Sequence, residues 1–235
     1  MAPVAGVDGT PGGWAVVIMK ANRLTIRKVS ALSGIFDGST NFKIVAIDVP
    51  IGLLNAYEVG GRSCDRAARE FLGPPRSSSV FPAPVRAVLA ATSWDDACAR
   101  SRASAPHGKK ITKQVWNILG KIREVDALLQ SRSELRKVVR EVHPEVCFRE
   151  LVGRSMVYRK ARVAGRDERR RALTRSFPQL DMIEKSGRDQ GLPIEDILDA
   201  LVACWSAGRL ANGDARSLPY DSPPDATGLP MVIWA

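Results

Sequence analysis

The amino-acid sequence predicts an α/β protein in which a mixed sheet is flanked by helices. Short apolar runs bounded by glycine and proline are typical of buried strands, and longer segments with apolar residues at helical spacing follow them. Two of the predicted strands end on an acid, Asp8 and Asp48. Because a carboxylate in a buried sheet is costly unless a positive charge meets it, these two residues predict a shared cation site at one edge of the sheet.

The first part of the chain predicts four strands. Residues 4–8 form the first strand, and a glycine-rich turn leads to a second strand at 14–19. Residues 23–29 alternate apolar and polar side chains, as a half-exposed strand does, and the short link before them predicts a hairpin. A short helix and loop are expected over 33–41, followed by a strand at 43–48. The predicted order is three meandering strands, a crossover, and a strand that carries the second acid.

The middle of the chain is predicted to be mainly helical. A helix is expected at 62–72, and residues 73–84 are so rich in proline and serine that they predict a long ordered loop. A second helix is expected at 94–102. Residues 111–130 place apolar side chains at helical spacing, which predicts a long amphipathic helix.

The last part of the chain predicts a fifth strand at 138–143, because the residue before Pro144 is biased toward extended geometry. A helix is expected at 146–151. A strongly basic segment at 153–175 and a long helix at 193–210 follow. Residues 231–234 are a candidate for a final strand.

Size and composition limit the class of protein. The chain has 235 residues, of which 45% are hydrophobic and 26% are charged. This favours one globular domain over residues 1–235, with a loop and helical insertion at about 60–135. No apolar run is long enough to span a bilayer, and the first residues lack the pattern of a signal peptide, so no membrane association is expected. The four cysteines are scattered, which favours reduced thiols and a cytoplasmic location.

The net charge of +10 favours a polyanionic partner. An excess of lysine and arginine is typical of proteins that bind nucleic acid, and it equally suits a phosphorylated small molecule. The alternative is a generally basic surface with arginines on solvated helix faces. The sequence does not predict an oligomeric state.

Four carboxylates are expected to converge. Asp8 and Asp48 end strands, Glu145 follows the fifth strand, and either Asp196 or Asp199 joins them from the last long helix. Asp199 borders the apolar stripe of that helix, which is a poor place for an acid without a partner. Carboxylates gathered in one site repel one another, and an oxygen-only set suits Mg²⁺ or Mn²⁺. Two such ions about 4 Å apart activate a water and stabilise the leaving oxygen in phosphodiester cleavage.

Each acid also has a structural explanation. Asp8 precedes a glycine and is suited to cap a turn, and Asp48 before Val-Pro can simply end its strand. Glu145 after a proline is a normal first-turn acid of a helix, and Asp196 fits the same electrostatic role in the last long helix.

Two segments are candidates for substrate binding. The first is the loop of Arg76, Ser77, Ser78 and Ser79. Its guanidinium, hydroxyl and backbone N–H groups suit phosphate oxygens, although loop serines also satisfy their own backbone. The second is the start of the long helix at Lys113 and Gln114, where backbone N–H groups attract anions.

The basic segment and His143 each leave two alternatives open. Residues 158–175 either grip a polyanion or form a solvated helix in which Asp167 and Glu168 offset part of the charge. His143 is either a general base or a buried, hydrogen-bonded histidine. Ser-His-Asp catalysis has no support, because no nucleophile elbow occurs in the chain.

Taken in order, the motifs resemble those of the widespread family named domain of unknown function 429, a family of predicted ribonuclease H-like nucleases. The matching stretches are Gly6-Val7-Asp8-Gly9 with Gly13-Trp14, Ala46-Ile47-Asp48-Val49-Pro50-Ile51-Gly52-Leu53, Arg62-Ser63-Cys64-Asp65 with Ala68-Arg69, Arg76-Ser77-Ser78-Ser79-Val80-Phe81 with Pro84 and Arg86, Thr112-Lys113-Gln114, Lys121-Ile122 with Glu124-Val125-Asp126, Glu141-Val142-His143-Pro144-Glu145, and Asp196-Ile197-Leu198-Asp199-Ala200. The family usually has serine at the position of Thr112, and related nucleases often carry glutamate at the position of Asp48.

The resemblance implies a ribonuclease H-like fold, which is a five-stranded mixed sheet with an antiparallel second strand, flanked by helices and carrying a helical insertion. It also implies that Asp8, Asp48, Glu145 and Asp199 stand where this superfamily places its metal-binding acids. Mg²⁺ or Mn²⁺ is the expected cofactor.

Three functions are compatible with these observations. The leading hypothesis is a metal-dependent nuclease or phosphodiesterase that acts on nucleic acid or on a nucleotide-like phosphodiester. The second is an ATP-dependent phosphotransferase related to actin and the sugar kinases, because the glycine-rich turn after Asp8 is similar to their phosphate-holding hairpin, although the chain is short for two such cores. The third is a non-catalytic nucleic-acid-binding module that keeps the fold and the charge.

Overall fold

The computed structural model describes residues 2–38 and 40–235. A five-stranded sheet is formed by Val4–Thr10 (β1), Gly13–Lys20 (β2), Arg23–Val29 (β3), Ile44–Ile47 (β4) and Val139–Glu141 (β5). The strand order is β3-β2-β1-β4-β5. β2 runs antiparallel to both β1 and β3, whereas β4 runs parallel to both β1 and β5. This is the mixed sheet that the sequence predicts and the arrangement expected of a ribonuclease H-like fold.

Seven α-helices flank the sheet in the described part of the chain. They are Ser63–Leu72 (α1), Trp94–Ala103 (α2), Lys113–Ser131 (α3), Pro144–Val152 (α4), Val163–Thr174 (α5), Leu180–Asp189 (α6) and Ile194–Asn212 (α7). α1, α2 and α3 lie between β4 and β5, where the sequence predicts the insertion. Among the described residues, no helix combines the length and the apolar character that crossing a membrane requires.

Both faces of the sheet are apolar and covered. On one face, Ile122 and Leu129 of α3 belong to a buried cluster with Val7 and Ile47 of the sheet. On the other face, α7 packs through apolar residues such as Leu201. Burial on both faces is typical of sheets that contain parallel strands, and it leaves the ends of the strands as the place for polar side chains.

α7 approaches β1 very closely at Gly6. A Cβ atom on Gly6 would lie 2.0 Å from the backbone nitrogen of Cys204 and 2.2 Å from the carbonyl oxygen of Ala200. Because glycine has no side chain, the helix backbone can rest directly on the strand. This contact sets the depth of α7 and therefore the position of Asp199, which precedes Ala200.

Two helices differ from the sequence prediction. α4 begins at Pro144 rather than at 146, so Glu145 lies in its first turn. The sequence pattern does not predict α6, because Ser186 and Gly187 lower its helix propensity. Close packing against α7 accounts for a glycine at this position, since a Cβ atom on Gly187 would lie 2.6 Å from Cδ1 of Ile197.

The candidate final strand belongs to a second, small sheet. Ile233–Trp234 (β7) pairs antiparallel with Ser217–Leu218 (β6), and Trp234 also forms a parallel bridge with Val142 just after β5. The short helix expected over 33–41 is a 3₁₀ turn at Leu32–Ile35, and Ser39 of that prediction lies outside the described residues.

The four cysteines, Cys64, Cys98, Cys147 and Cys204, are free thiols and all are buried. Burial raises the pKa of Cys147 and of Cys204 to about 12. Both thiols are therefore protonated at neutral pH and are poor nucleophiles in the folded chain.

Candidate active site

Asp8 and Asp48 lie side by side at one edge of the sheet. Val7 of β1 is paired in parallel with Ile47 of β4, and Asp8 and Asp48 are the residues that directly follow this pair. The backbone N–H of Asp48 donates a hydrogen bond to the Val7 carbonyl oxygen at 3.0 Å, which continues the parallel pairing to the acids. Asp8 is buried, and its Oδ1 accepts a hydrogen bond from the Gly9 N–H at 2.8 Å.

α7 brings a third carboxylate, Asp199, to this edge. Asp199 is buried with an exposure of 1%, whereas Asp196, one turn earlier, is partly exposed. Burial raises the pKa of Asp196, and the nearby hydroxyl of Thr10, which is buried at the end of β1, opposes this rise. Both candidates from α7 therefore reach the region of Asp8, and Asp199 is the deeper of the two.

Glu145 is the fourth acid, and the first turn of α4 positions it beyond the end of β5. It is buried, and its Oε1 accepts a hydrogen bond from Nη2 of Arg169. Its Oε2 is buried without a partner among the described residues. We name Asp8, Asp48, Glu145 and Asp199 the acidic cluster.

The electrostatics of Asp8 and Asp48 reflect this crowding. Burial, together with the negative charges of Asp199 and Asp48, holds the pKa of Asp8 well above its usual range. Burial raises the pKa of Asp48 to about 6, with opposing contributions from His143, which lowers it, and from Asp199, which raises it. Two carboxyl groups with raised pKa values beside a third acid are typical of a site that gains stability when a cation binds.

Two basic side chains already reach the acidic cluster. Nζ of Lys160 donates a hydrogen bond to Oδ2 of Asp199 at 2.5 Å, although the lysine side chain is 49% exposed. The charge of Asp199 raises the pKa of Lys160 further above its ordinary value. Arg169 of α5, with an exposure of 1%, forms the ion pair with Glu145. The sequence predicts neither role, because the two residues stand in a long basic segment in which no spacing distinguishes them.

The loop of Arg76 to Ser79 reaches the same edge of the sheet through His143. Nε2 of His143 lies 3.3 Å from the carbonyl oxygen of Ser79, and its Nδ1 is buried without a partner in the part of the chain that the structure describes. Ser77–Ser79 forms a short 3₁₀ turn, and Arg76 is buried. The hydroxyls of Ser77, Ser78 and Ser79 are therefore carried by a loop that adjoins Asp48 through His143.

The start of α3 has a different environment. Thr112 caps the helix by accepting a hydrogen bond from the Val115 N–H at 3.3 Å. Nζ of Lys113 lies 3.7 Å from the centre of the Trp94 ring, and Gln114 is exposed. Substrate binding by Lys113 and Gln114 stays a prediction.

Lys121, which lies later in the same helix, interacts electrostatically with the acidic cluster. Burial lowers the pKa of Lys121, and the nearby charges of Glu124 and Asp8 oppose that change. Its ammonium donates a hydrogen bond to the carbonyl oxygen of Gly13, the first residue of β2. The sequence pattern predicts no role for this lysine, although Lys121 and Glu124 belong to one of the motifs that resemble the family.

Within residues 2–38 and 40–235, no group of three or more His, Cys, Asp or Glu side chains is arranged to hold a metal ion. The ion pairs described above account for two members of the acidic cluster, since Asp199 is bound to Lys160 and Glu145 to Arg169. Asp8 and Asp48 have no such ion pair among the described residues. Carboxylate oxygens are the donors that hard cations prefer, but within the described residues these side chains do not form a metal site of three or more ligands.

Comparison with known proteins places the chain in one family. The model of the family described as "Protein of unknown function (DUF429)" matches residues 6–223. Neither the curated proteins nor the solved structures give a match.

Proposed function

We propose that this chain, which belongs to the DUF429 family of proteins of unknown function, hydrolyses phosphodiester bonds in nucleic acid or in a nucleotide-like substrate and requires a metal ion to do so. The observation that carries this proposal is the position of Asp8 and Asp48 next to each other where β1 and β4 pair in parallel, with Asp199 of α7 near enough for its charge to raise the pKa of both. Three carboxylates that repel one another at the edge of a sheet suit a divalent cation and a phosphate substrate.

The donor set favours Mg²⁺ or Mn²⁺ as the cofactor. Asp8 and Asp48 offer oxygen atoms without a competing ion pair in the described residues, and one oxygen of Glu145 is free. Asp199 becomes available as a ligand when Lys160 releases it, and Glu145 is a ligand through its free oxygen or after Arg169 has moved. When bound, the cation supplies Lewis-acid stabilisation of the phosphate and an activated water.

The surrounding residues have distinct roles in this proposal. Asp8 and Asp48 hold the cation. Lys160 balances the charge of Asp199 in the absence of the cation and provides a compact positive charge for the substrate phosphate in its presence. Ser77, Ser78 and Ser79, with the neighbouring His143, position the substrate beside Asp48.

The direct test is cleavage by purified protein that has been freed of metal with EDTA. The protein is incubated with single- and double-stranded DNA, with RNA and with cyclic dinucleotides, with or without added Mg²⁺ or Mn²⁺. We expect cleavage that requires the cation and that falls at least about 100-fold in Asp8→Asn and in Asp48→Asn, because each substitution removes a carboxylate charge that holds the cation. The matched control is Asp95→Asn, which alters an exposed carboxylate in the first turn of α2.

Cleavage that persists at the wild-type rate in both active-site variants would show that the activity belongs to a contaminant or to another site. An absence of cleavage with every substrate would remove the enzyme proposal.

A second function is favoured by one observation, namely the ion pairs of Asp199 with Lys160 and of Glu145 with Arg169. Side chains that already neutralise half of the acidic cluster suit a non-catalytic module that binds nucleic acid without a metal. This alternative requires nucleic-acid binding that EDTA and the Asp8→Asn substitution leave unchanged, together with no cleavage of any substrate.

A further inference from the structure

A cleft of about 640 Å³ opens between the end of α4 and the adjacent face of α5. We call it the α5 cleft and define it by six of its lining residues, Leu151, Arg154, Met156, Tyr158, Arg171 and Arg175. Its wall is apolar and mainly basic, and the acid Glu168, which also lines it, is paired with Arg154. That combination suits a ligand that carries negative charge next to a flat, weakly polar group.

Just over half of the basic side chains in the segment that contains most of the cleft residues are already paired with acids. Residues 153–175 include nine lysines and arginines. Within the described residues, ion pairs involve five of them, Arg154, Lys160, Arg166, Arg169 and Arg170. Arg171 and Arg175 are exposed and have no such pair in residues 2–38 and 40–235. They stand four residues apart at the end of α5, so their charges share one face and repel each other, which an anion between them would relieve.

Tyr158 adds an exposed ring to this charged wall. It is 51% exposed, and its neighbour Val157 is 52% exposed. Exposed aromatic side chains beside free guanidinium groups are the two elements that bind single-stranded nucleic acid, because bases stack on the ring while phosphates contact the arginines.

The segment that forms the wall of the cleft also reaches the acidic cluster. The Glu168 carboxylate accepts a hydrogen bond from the Tyr158 N–H at 3.1 Å, and Nη1 of Arg169 donates to the Tyr158 carbonyl oxygen at 3.1 Å. Two residues further along, Lys160 holds Asp199. A ligand in the cleft therefore lies against the same short segment that contacts the acids.

We propose that the α5 cleft binds single-stranded nucleic acid, with backbone phosphates on Arg171 and Arg175 and a base stacked on Tyr158. A single strand is favoured over a duplex because stacking on Tyr158 requires a base whose face is free. The inference rests on the proposed function in one respect, namely that the bound strand continues toward the acidic cluster.

The test measures binding alone, in EDTA, by fluorescence anisotropy of a labelled oligothymidylate and oligouridylate of about 12 nucleotides. We expect Tyr158→Ala to weaken binding about 5- to 100-fold through the loss of stacking. We expect the double variant Arg171→Gln/Arg175→Gln to weaken binding and to lower the slope of log K against log salt by about 1.4, since two phosphate contacts are lost.

The matched control is Lys20→Gln/Arg23→Gln, which removes two exposed positive charges from the β2–β3 hairpin at the opposite end of the sheet from Asp8. It should keep the wild-type affinity within about twofold and the wild-type slope. Circular dichroism checks that each variant is folded.

Equal losses in the cleft and hairpin variants would overturn the proposal, because net charge alone would then explain binding. Wild-type affinity in Tyr158→Ala, or tighter binding of a duplex of the same length, would overturn it as well. The two proposals can fail separately.

If the cleft variants lose binding but the wild type shows no metal-dependent cleavage, the proposed enzyme activity is wrong and the proposed binding cleft stands. If the wild type cleaves but the cleft variants bind as tightly as the wild type, the proposed cleft is wrong and the enzyme activity stands.

Discussion

Asp48 and Asp199 show two ways in which this chain tolerates a buried acid. Asp199 is paired with Lys160, and its carboxylate is thereby balanced within the folded chain. Asp48 forms no ion pair in the described residues, and burial raises its pKa to about 6. An acid whose charged form is disfavoured by the fold lowers stability at neutral pH, and a bound cation removes that penalty.

The raised pKa of Asp48 predicts a pH dependence of stability. Because the folded state holds the proton more tightly than the unfolded state, the contribution of Asp48 to stability falls as pH rises from about 4 to about 6. The Asp48→Asn variant has no titrating group at this position and does not lose this stability. Its free energy of unfolding should therefore rise relative to that of the wild type by up to about 3 kcal/mol between pH 4 and pH 6. Urea unfolding of both proteins at pH 4, 5, 6 and 7, in EDTA, measures the difference. A difference that stays constant over this range would contradict the prediction.

The pair of Lys160 and Asp199 predicts competition with a divalent cation. Without metal, Lys160→Met should lower the free energy of unfolding by about 1 kcal/mol, since the half-exposed ammonium is partly screened by solvent. With Mn²⁺, the melting temperature of the variant should rise more than that of the wild type, because the cation no longer has to displace the lysine.

Thermal melts in EDTA and in MnCl₂ check this expectation. Lys185→Met is the matched control, because it breaks a lysine–aspartate pair that is exposed on both sides. A rise with Mn²⁺ that is the same in all three proteins would contradict competition at Asp199.

The acids of the site were predictable from the sequence, and their basic partners were not. Asp8 and Asp48 each follow an apolar run, which indicates a position at the edge of the sheet. The prediction that the first strand ends at Asp8 is wrong, because β1 continues to Thr10. Lys160 and Arg169 belong to a segment with many similar residues, and tertiary packing alone decides which of them turns inward. The neighbours of Arg169 illustrate this, because Arg170 pairs with Glu184 and Arg171 has no ion pair in the described residues.

Among the elements, α7 and its contact with β1 position the site. The helix rests on Gly6, so the distance between helix and strand is set by backbone atoms rather than by side chains. The long, strongly periodic helices α3 and α7 were predicted within a few residues of their ends. α6 was not, because its glycine is a packing contact for α7 that local propensity treats as a break.

The contact at Gly6 predicts a large effect of one methyl group. Gly6→Ala should lower the free energy of unfolding by about 3 kcal/mol or more, because the new Cβ atom meets the backbone of α7 and neither element can yield without moving Asp199. Gly120→Ala is the matched control, since a Cβ atom on Gly120 in α3 meets nothing within 4 Å, and it should stabilise the helix by about 0.5–1 kcal/mol. Urea unfolding measures both changes. Equal effects of the two substitutions would show that the approach of α7 to β1 is not tight.

For the molecule as a whole, one sheet joins the two main apolar clusters. Ala5 and Val7 of β1 face the cluster that includes α3, whereas Val4 of the same strand faces the cluster that includes α7. The order of the five strands was predictable because each strand is a separate apolar run and the links between them are short or helical. The partner of the last strand was not, since β6 has two residues and no pattern of its own.

A sheet shared by both clusters predicts that the chain unfolds as one unit, and the single domain expected over residues 1–235 stays a prediction that this behaviour would test. Urea unfolding followed by far-ultraviolet circular dichroism and by tryptophan fluorescence should give the same midpoint within error. Trp14 in β2 and Trp116 in α3 report on different parts of the chain, so the comparison is informative. Two separate transitions would instead indicate that the residues between β4 and β5 form an independent folding unit.

Because the four natural thiols are buried, a bound oligonucleotide can be located with a label on one introduced cysteine. A maleimide reagent should leave Cys64, Cys98, Cys147 and Cys204 unmodified in the native chain, because all four are shielded and at least two keep their protons at neutral pH. A cysteine introduced at exposed Arg159 would then accept a spin label or dye selectively, without removal of the natural thiols. Distances from such a probe to a labelled oligonucleotide would trace the path of the ligand over the surface.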